Sequence, residues 1–230
     1  MVADGSTALP LGFAQDFKRI GDDDAGPNTG GMGAYSPLPF VDDAVAERIR
    51  AEILDRTIRA MAAEGVPYRG VLYAGLMLTE RGPMVLEFNC RFGDPETQLL
   101  MPRLRSEPAG LLLACARGEL GSYEVDLAPG ACVTVVLASG GYPGAYETGF
   151  EIRGLDAAGT VEGATVFHSG TAERQGRVVT AGGRVLSVSA TGASIYEARD
   201  RAYHASALVS FEGMRHRTDI AAFAAKEERR

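Results

Sequence analysis

Past residue 42 the apolar positions keep a period, either every second residue or every third to fourth. Before it they keep none. Val45, Ile49, Ile53, Ile58 and Met61 fall on one face at helical spacing, with Arg and Glu opposite. A helix is predicted there, capped by Asp42 or Asp43, running to about Ala63 and stopped by Gly65 and Pro67. Gly70–Thr79 is an apolar alternating run, Glu80–Pro83 a turn and Met84–Asn89 the returning strand, so a hairpin is expected. Helical spacing resumes after Pro95, breaks at Pro102 and restarts at Ser106, ending at Gly118. Further strands are expected at Ala131–Ala138 and around Thr165–His168. A second hairpin should pair Arg177–Thr180 with Arg184–Ala190 across Ala181-Gly182-Gly183. Ser194–Val209 reads as one helix.

The first forty residues look different. A short strand near Ser6–Leu11 leads into DFKRIGDDDAGPNTGGMGAYSPLPF, which reads as a long loop. Ordered loops of this length inside compact domains are uncommon and usually functional. Composition shifts again after Gly121. The expected organisation is therefore α+β in two parts, residues 1–121 and a smaller, β-rich module with a helix over 122–230.

Composition narrows the class. The chain has 230 residues, 46% hydrophobic and 23% charged, with a mean hydropathy of −0.03. That is enough to bury a core without disulfides or a structural metal. No run of ~18 apolar residues exists, so no membrane span is expected, and the N-terminus lacks the pattern of a signal peptide. Cys90, Cys115 and Cys132 are odd in number and keep no metal-ligand spacing, which suits free thiols in a reducing cytoplasm. A net charge of −7 argues against a nucleic-acid partner. Glycine stands out, at 29 residues with no fixed repeat.

Two segments hold candidate chemistry. In Val85–Glu96, VLEFNCRFGDPE, strand alternation sends Met84, Leu86 and Phe88 one way and Glu87 and Asn89 the other. A carboxylate and an amide oxygen side by side are hard ligands suited to Mg²⁺. Arg91 would continue that face if the strand extended, offering a fork for a phosphate or carboxylate. Alternation alone fits an edge strand with a solvated polar face equally well. The second segment, Gly26–Pro37, matches neither the Walker loop nor the dinucleotide fingerprint. Its glycines would let backbone N–H groups approach an anion, with Lys18 and Arg19 adding positive charge upstream, although a flexible surface loop has the same composition. Asp22-Asp23-Asp24 reads as a solvated acidic turn, since no Ca²⁺-loop spacing follows. His168, His204 and His216 are scattered and read as structural or surface residues.

Together, AQDFKRIGDDDAGPNTGGMGAYSP and GVLYAGLMLTERGPMVLEFNCRFGDPETQ resemble the two signature stretches of the phosphoribosylamine–glycine ligase (glycinamide ribonucleotide synthetase) family. These are ATP-grasp enzymes of de novo purine synthesis. ASGGYPGAYETG, VFHSGT and TAGGRVLSVSATG resemble that family's C-terminal domain. The resemblance implies a fold, the C-terminal part of an ATP-grasp domain followed by a small β-rich domain. It also implies a reaction, in which ATP phosphorylates glycine and the amine of 5-phosphoribosylamine displaces the phosphate. By the same resemblance Glu87 and Asn89 are the Mg²⁺ or Mn²⁺ ligands, and Arg91 and Asp94 act in the substrate-facing part of the motif. Lys18, Arg19, Asn28, Thr29, Gly30 and Gly31 line the substrate or phosphate side.

The departure lies ahead of residue 1. Family members start with a Rossmann-like domain and a nucleotide-covering subdomain, and neither is found in this sequence. The chain is expected to be a C-terminal portion, inactive alone: a fragment, a mis-started frame or one half of a split enzyme. A related ATP-grasp carboxylase or formate-dependent transformylase is the remaining alternative, disfavoured by the wording of NCRFGDPE and GPNTGGMGAYSP.

Overall fold

The computed structural model describes residues Met1–Arg229. Six short strands open the chain: β1 (Val2–Asp4), β2 (Ala8–Leu9), β3 (Gln15–Asp16), β4 (Arg19–Gly21), β5 (Ala25–Asn28) and β6 (Gly33–Ser36). A long helix follows in three pieces, α1 (Asp43–Ile49), a π-helical turn (Arg50–Leu54) and α2 (Asp55–Ala63). Then come β7 (Arg69–Val71), β8 (Tyr73–Thr79), β9 (Gly82–Asn89), α3 (Thr97–Leu100) and α4 (Pro108–Arg117). The remainder is β10 (Ala131–Ala138), α5 (Leu155–Gly159), β11 (Ala164–His168), β12 (Thr171–Arg174), β13 (Arg177–Thr180), β14 (Arg184–Gly192), α6 (Ile195–Leu208) and α7 (Ala222–Glu228).

These elements form two compact units, and neither is one stretch of chain. The first comprises Met1–Phe13, Leu38–Gly93 and Leu104–Ala128. The second comprises Ala14–Pro37, Asp94–Arg103 and the chain from Pro129 onward. Both mix helices with antiparallel sheet, as an α+β fold requires.

In the first unit, β1 lies between β2 and β7, antiparallel to both. Ile49, Ile53, Leu54 and Ile58 bring the apolar face of the long helix onto Ala3, Ala8 and Leu72. Asp42 caps that helix, its Oδ1 accepting from the Val45 N–H at 2.8 Å. The predicted hairpin is present as β8–β9, a two-stranded ribbon with no third strand. α4 starts on Pro108 with Glu107 accepting the Ala109 and Gly110 N–H groups, and stops where Gly118 turns left-handed at φ 81°. Buried Asp4 stitches the base. Its carboxylate accepts the Ser6, Thr7 and Leu120 N–H groups. Burial alone would raise its pKa, and those donors pull it below the ordinary carboxylate value instead.

The second unit is built on a five-stranded antiparallel sheet ordered β11-β14-β10-β6-β3. All eight residues of β10 are buried, which is why it reads as a continuous apolar run and not as an alternating one. α6 covers β14 and β10, and its Ala198, Ala202 and Ala205 are fully buried. Their small side chains let the helix sit close to the sheet.

Two sequence expectations change here. The first forty residues are not one long loop. β6 runs antiparallel to β10, Ser36 opposite Cys132 and Gly33 opposite Val135. A four-residue strand shows no periodicity, and its partner lies a hundred residues away. Nor do Arg177–Thr180 and Arg184–Ala190 form a hairpin. β13 pairs with β12, while β14 turns to β10 and β11. The Ala-Gly-Gly turn between them joins strands of different sheets.

Candidate functional site

In the first unit the candidate chemistry sits on β9. Glu87 lies opposite Gly75 and Asn89 opposite Tyr73, so the two oxygen-bearing side chains share a face, as alternation predicts. The apolar face is less regular. A bulge between Gly75 and Leu76 makes Glu87 and Val85 partners of consecutive β8 residues, leaving Leu86 unpaired. Met84, opposite Met77, is thereby carried onto the Glu87 face, while Phe88 keeps the opposite one and is joined there by Val85. β9 ends at Asn89. Arg91 therefore does not continue the strand face, and its Nη1 donates to the Phe92 carbonyl at 2.9 Å.

The donor set can be tested against a divalent cation. Among the described residues no three His, Cys, Asp or Glu side chains converge as a metal cage. One carboxylate and one amide oxygen from a single strand instead suit Mg²⁺, which keeps most of its shell for water and substrate phosphate. Glu87 is exposed and Asn89 half-buried. The pair fits a metal that takes its remaining ligands from elsewhere.

The other candidates lie in the second unit. Asn28 closes β5, which pairs with β4, and Arg19 Nη1 donates to the Gly26 carbonyl at 2.7 Å. Lys18 Nζ stands 3.3 Å from Asp16 Oδ2. Along the following turn every backbone amide has an acceptor within the protein. Thr29 N–H goes to the Lys18 carbonyl, Gly30 N–H to Tyr142 Oη, Gly31 N–H to Thr29 Oγ1 and Met32 N–H to the Phe17 carbonyl. The loop therefore does not offer its amides as an anion cradle. What it presents are the Lys18, Arg19 and Asn28 side chains, all exposed.

Asp94 joins this loop through a residue the sequence reading passed over. Arg184, the first residue of β14, donates from Nη1 to the Gly30 carbonyl at 2.8 Å, the Asp94 carbonyl at 3.0 Å and Asp94 Oδ1 at 3.1 Å. Gln98 Nε2 also donates to Asp94 Oδ1, at 3.2 Å. Beside them Asp16 Oδ1 is buried with no hydrogen-bond partner among the described residues. Burial first, and then the charge of buried Glu96, push the Asp16 carboxyl up to about 6, against the pull of Lys18 and Arg184. Gly31 is pressed into the same corner at φ 113°, where an added Cβ would lie 2.5 Å from Pro95 Cδ and 2.8 Å from Asp16 Oδ1. Arg184, Tyr142 and Asp16 are thus parts of the site missed from sequence. Tyr142 sits in a glycine-rich turn and Arg184 directly follows one, the one signal that pointed their way.

The acidic run is not simply solvated. Asp22 accepts the Thr218 N–H and hydroxyl, and Asp24 pairs at 2.8 Å with Arg217, itself 1% exposed. Asp219 completes that clamp. Burial would raise its carboxyl, but the Arg217 guanidinium and the Asp23 N–H hold it at about 2. Of the histidines, His216 is held below its ordinary value by burial, and His168 Nδ1 is hydrogen-bonded to Thr171 Oγ1 at 3.0 Å.

Comparison with known proteins places this geometry. Residues 1–97 match the family model described as phosphoribosylglycinamide synthetase, ATP-grasp (A) domain, and residues 132–223 match the C domain of the same synthetase. The chain is 53% identical over 227 residues to phosphoribosylamine–glycine ligase of Streptomyces coelicolor, covering 97% of this chain and 55% of that protein. It is 50% identical over 221 residues to the Vibrio vulnificus ligase, covering 96% and 51%. The crystal structure of phosphoribosylamine–glycine ligase from Thermotoga maritima superposes with a TM-score of 0.85 at 41% identity, over 96% of this chain and 54% of that one. The biotin carboxylase subunit of pyruvate carboxylase shares the fold, with a TM-score of 0.63 at 14% identity over 94% and 45%. The chain spans about half the length of the curated relatives it matches.

Proposed function

The chain belongs to the phosphoribosylglycinamide synthetase family, and from that premise we propose that it works as the metal- and substrate-holding half of an ATP-dependent phosphoribosylamine–glycine ligase. The observation that carries the reading is the shared face of Glu87 and Asn89 on β9, in a chain matched by both domain models of that synthetase.

The proposed reaction has two steps. A carboxylate oxygen of glycine attacks the γ-phosphorus of ATP, the bond to the β-phosphate oxygen breaks, and ADP leaves with glycyl phosphate behind. The amine of 5-phosphoribosylamine then attacks the acyl carbon. Phosphate departs and a proton is lost from nitrogen, giving glycinamide ribonucleotide. Neither step needs a protein nucleophile, so catalysis rests on positioning and charge neutralisation. Mg²⁺ or Mn²⁺, when bound, neutralises charge on the transferring phosphoryl group. Glu87 and Asn89 would hold that ion through their oxygens. Arg91 and Asp94 face substrate in the same motif. Lys18, Arg19, Asn28 and the turn Thr29–Gly31 line the substrate side, by side chain and shape and not by amide donation. The setting is the cytoplasm, with small-molecule substrates and no nucleic-acid or membrane partner, and no described helix is long and apolar enough to cross a membrane.

A second reading follows from the shared length: this chain is a non-catalytic subunit until the remaining half of its relatives' length is supplied. ADP release dependent on both glycine and phosphoribosylamine tests whether this chain needs that half. We expect little or no turnover from this chain alone and turnover once the other half is supplied. Robust activity without a partner would overturn the half-enzyme proposal. In the assembled enzyme Glu87→Gln should raise the metal concentration needed for half-maximal rate by roughly tenfold or more. An unchanged metal titration would remove Glu87 from the metal site. Bicarbonate or formate supporting ADP release in place of glycine would point instead to a carboxylase or transformylase.

A further inference from the structure

We infer that Arg184 is a positioning residue of this site, holding the Thr29–Gly31 turn and Asp94 together as one wall against the amino substrates; the inference rests on the ligase reading above. The geometry is specific. A single guanidinium nitrogen, Nη1, reaches the carbonyls of Gly30 and Asp94 and the Asp94 carboxylate at 2.8, 3.0 and 3.1 Å, with the Gly31 carbonyl at 3.5 Å. These acceptors come from two segments more than sixty residues apart, and Arg184 reaches both from a third. Its own base is firm. Arg184 opens β14, where Val185 to Ala190 are buried, and its carbonyl accepts the Gly170 N–H at 2.9 Å.

The surrounding residues are shaped to this contact. A Cβ on Gly30 would lie 2.9 Å from Arg184 Cζ and Nη2, so the guanidinium lies directly over the glycine. The other side of Gly30 is held by Tyr142, whose Oη accepts its N–H at 3.0 Å. Gly183, next to Arg184, makes room for the Tyr142 ring, since a Cβ there would come within 2.3 Å of Cδ2. Turn, tyrosine and arginine interlock through two glycines. Arg184 also offsets nearby acid charge, pairing with Asp94 and adding to the larger pull of Lys18 on Asp16. Lysine would keep the charge but lose the rigid planar group whose fixed geometry aims Nη1 at these oxygens.

The test uses the assembled ligase with Arg184→Gln, Arg184→Lys and Gly30→Ala. Amide hydrogen exchange at residues 29–32 and 93–94 should speed by about tenfold or more in Arg184→Gln, with β10 and β14 amides unchanged. KM for glycine or for phosphoribosylamine should rise by about tenfold or more while KM for ATP stays within about twofold. A rise for glycine assigns the wall to the amino-acid pocket, and a rise for phosphoribosylamine assigns it to the ribosyl side. Arg184→Lys should recover part of the loss. Gly30→Ala, which displaces the guanidinium without removing it, should reproduce the effect and add little to Arg184→Gln. Unchanged exchange in both segments, or all three KM values and the β10 amides moving together, would overturn the inference. If the wild-type assembly releases no ADP in response to glycine and phosphoribosylamine, the ligase reading fails, and the exchange pattern alone then decides whether Arg184 holds the wall.

Discussion

Asp16 shows how one buried side chain makes stability depend on pH. Its carboxyl sits near 6 in the folded protein against an ordinary 3.8, because burial and Glu96 disfavour the anion. The folded state therefore holds this proton more tightly than the unfolded state. The stabilisation is complete below pH 3.8 and is lost as pH rises through 6, a difference of at most about 3 kcal/mol. Asp16→Asn removes the penalty together with the Lys18 pair, whose lysine is half exposed and contributes at most about 1 kcal/mol. The variant should be about 1–2 kcal/mol more stable than wild type at pH 7.5 and no more stable at pH 4. Urea unfolding at the two pH values measures this, and an equal difference at both would refute it. The thiols give a second expectation at this scale. Cys132 is buried and pushed up to about 12, Cys115 is buried and donates to the Ala3 carbonyl, and Cys90 is exposed. A thiol reagent should label one cysteine quickly in the native chain and all three after denaturation.

At the scale of elements, local signals carried where partners are local. The helix from Asp43, the β8–β9 hairpin, β10 and α6 are each legible because a cap, a turn or an apolar run announces them within the segment. β1 to β6 are two to four residues long, too short for a period; β1 and β6 are completed by β7 and β10 far along the chain, while β4 and β5 pair only with each other. The candidate site divides the same way. Glu87 and Asn89 were legible because alternation on a strand is a local rule. Arg184 and Tyr142 act on Gly30 across 154 and 112 residues, and no spacing rule reaches that far. The Gly-rich turn was found for its glycines but misread in its amides, whose acceptors are set by tertiary contacts. Gly31 is where the turn's conformation is most demanding. Gly31→Ala forces a side chain into φ 113° and against Pro95 and Asp16, so a loss of about 1–3 kcal/mol is expected in chemical denaturation. A neutral effect would mean that the turn relaxes freely and is no fixed wall.

For the molecule as a whole, the β8–β9 ribbon is the part least at home in water. Met77 and Met84 face each other and are 51% and 53% exposed, and Leu78, Val85 and Phe88 on the opposite face and Leu86 at the bulge are exposed too. Monomeric proteins rarely leave contiguous apolar surface of this kind bare, because the hydration cost grows with area. The ribbon carries Glu87 and Asn89, so the same surface that looks unfinished borders the proposed metal ligands. If the working protein includes the other half of its relatives' length, that half should cover these side chains. This chain alone should therefore bind a hydrophobic dye and sediment as a concentration-dependent mixture. Met84→Lys with Leu86→Lys should weaken both effects without altering the helical signal, since neither side chain lies in a buried core. Adding the polypeptide that corresponds to the relatives' remaining length should suppress dye binding and bring glycine-dependent ADP release with it. If dye binding is absent from the outset, the ribbon is stable in water as it stands, and the half-enzyme proposal loses its structural support. If dye binding is suppressed but no activity appears, the two halves associate and the ligase reading is the part that fails.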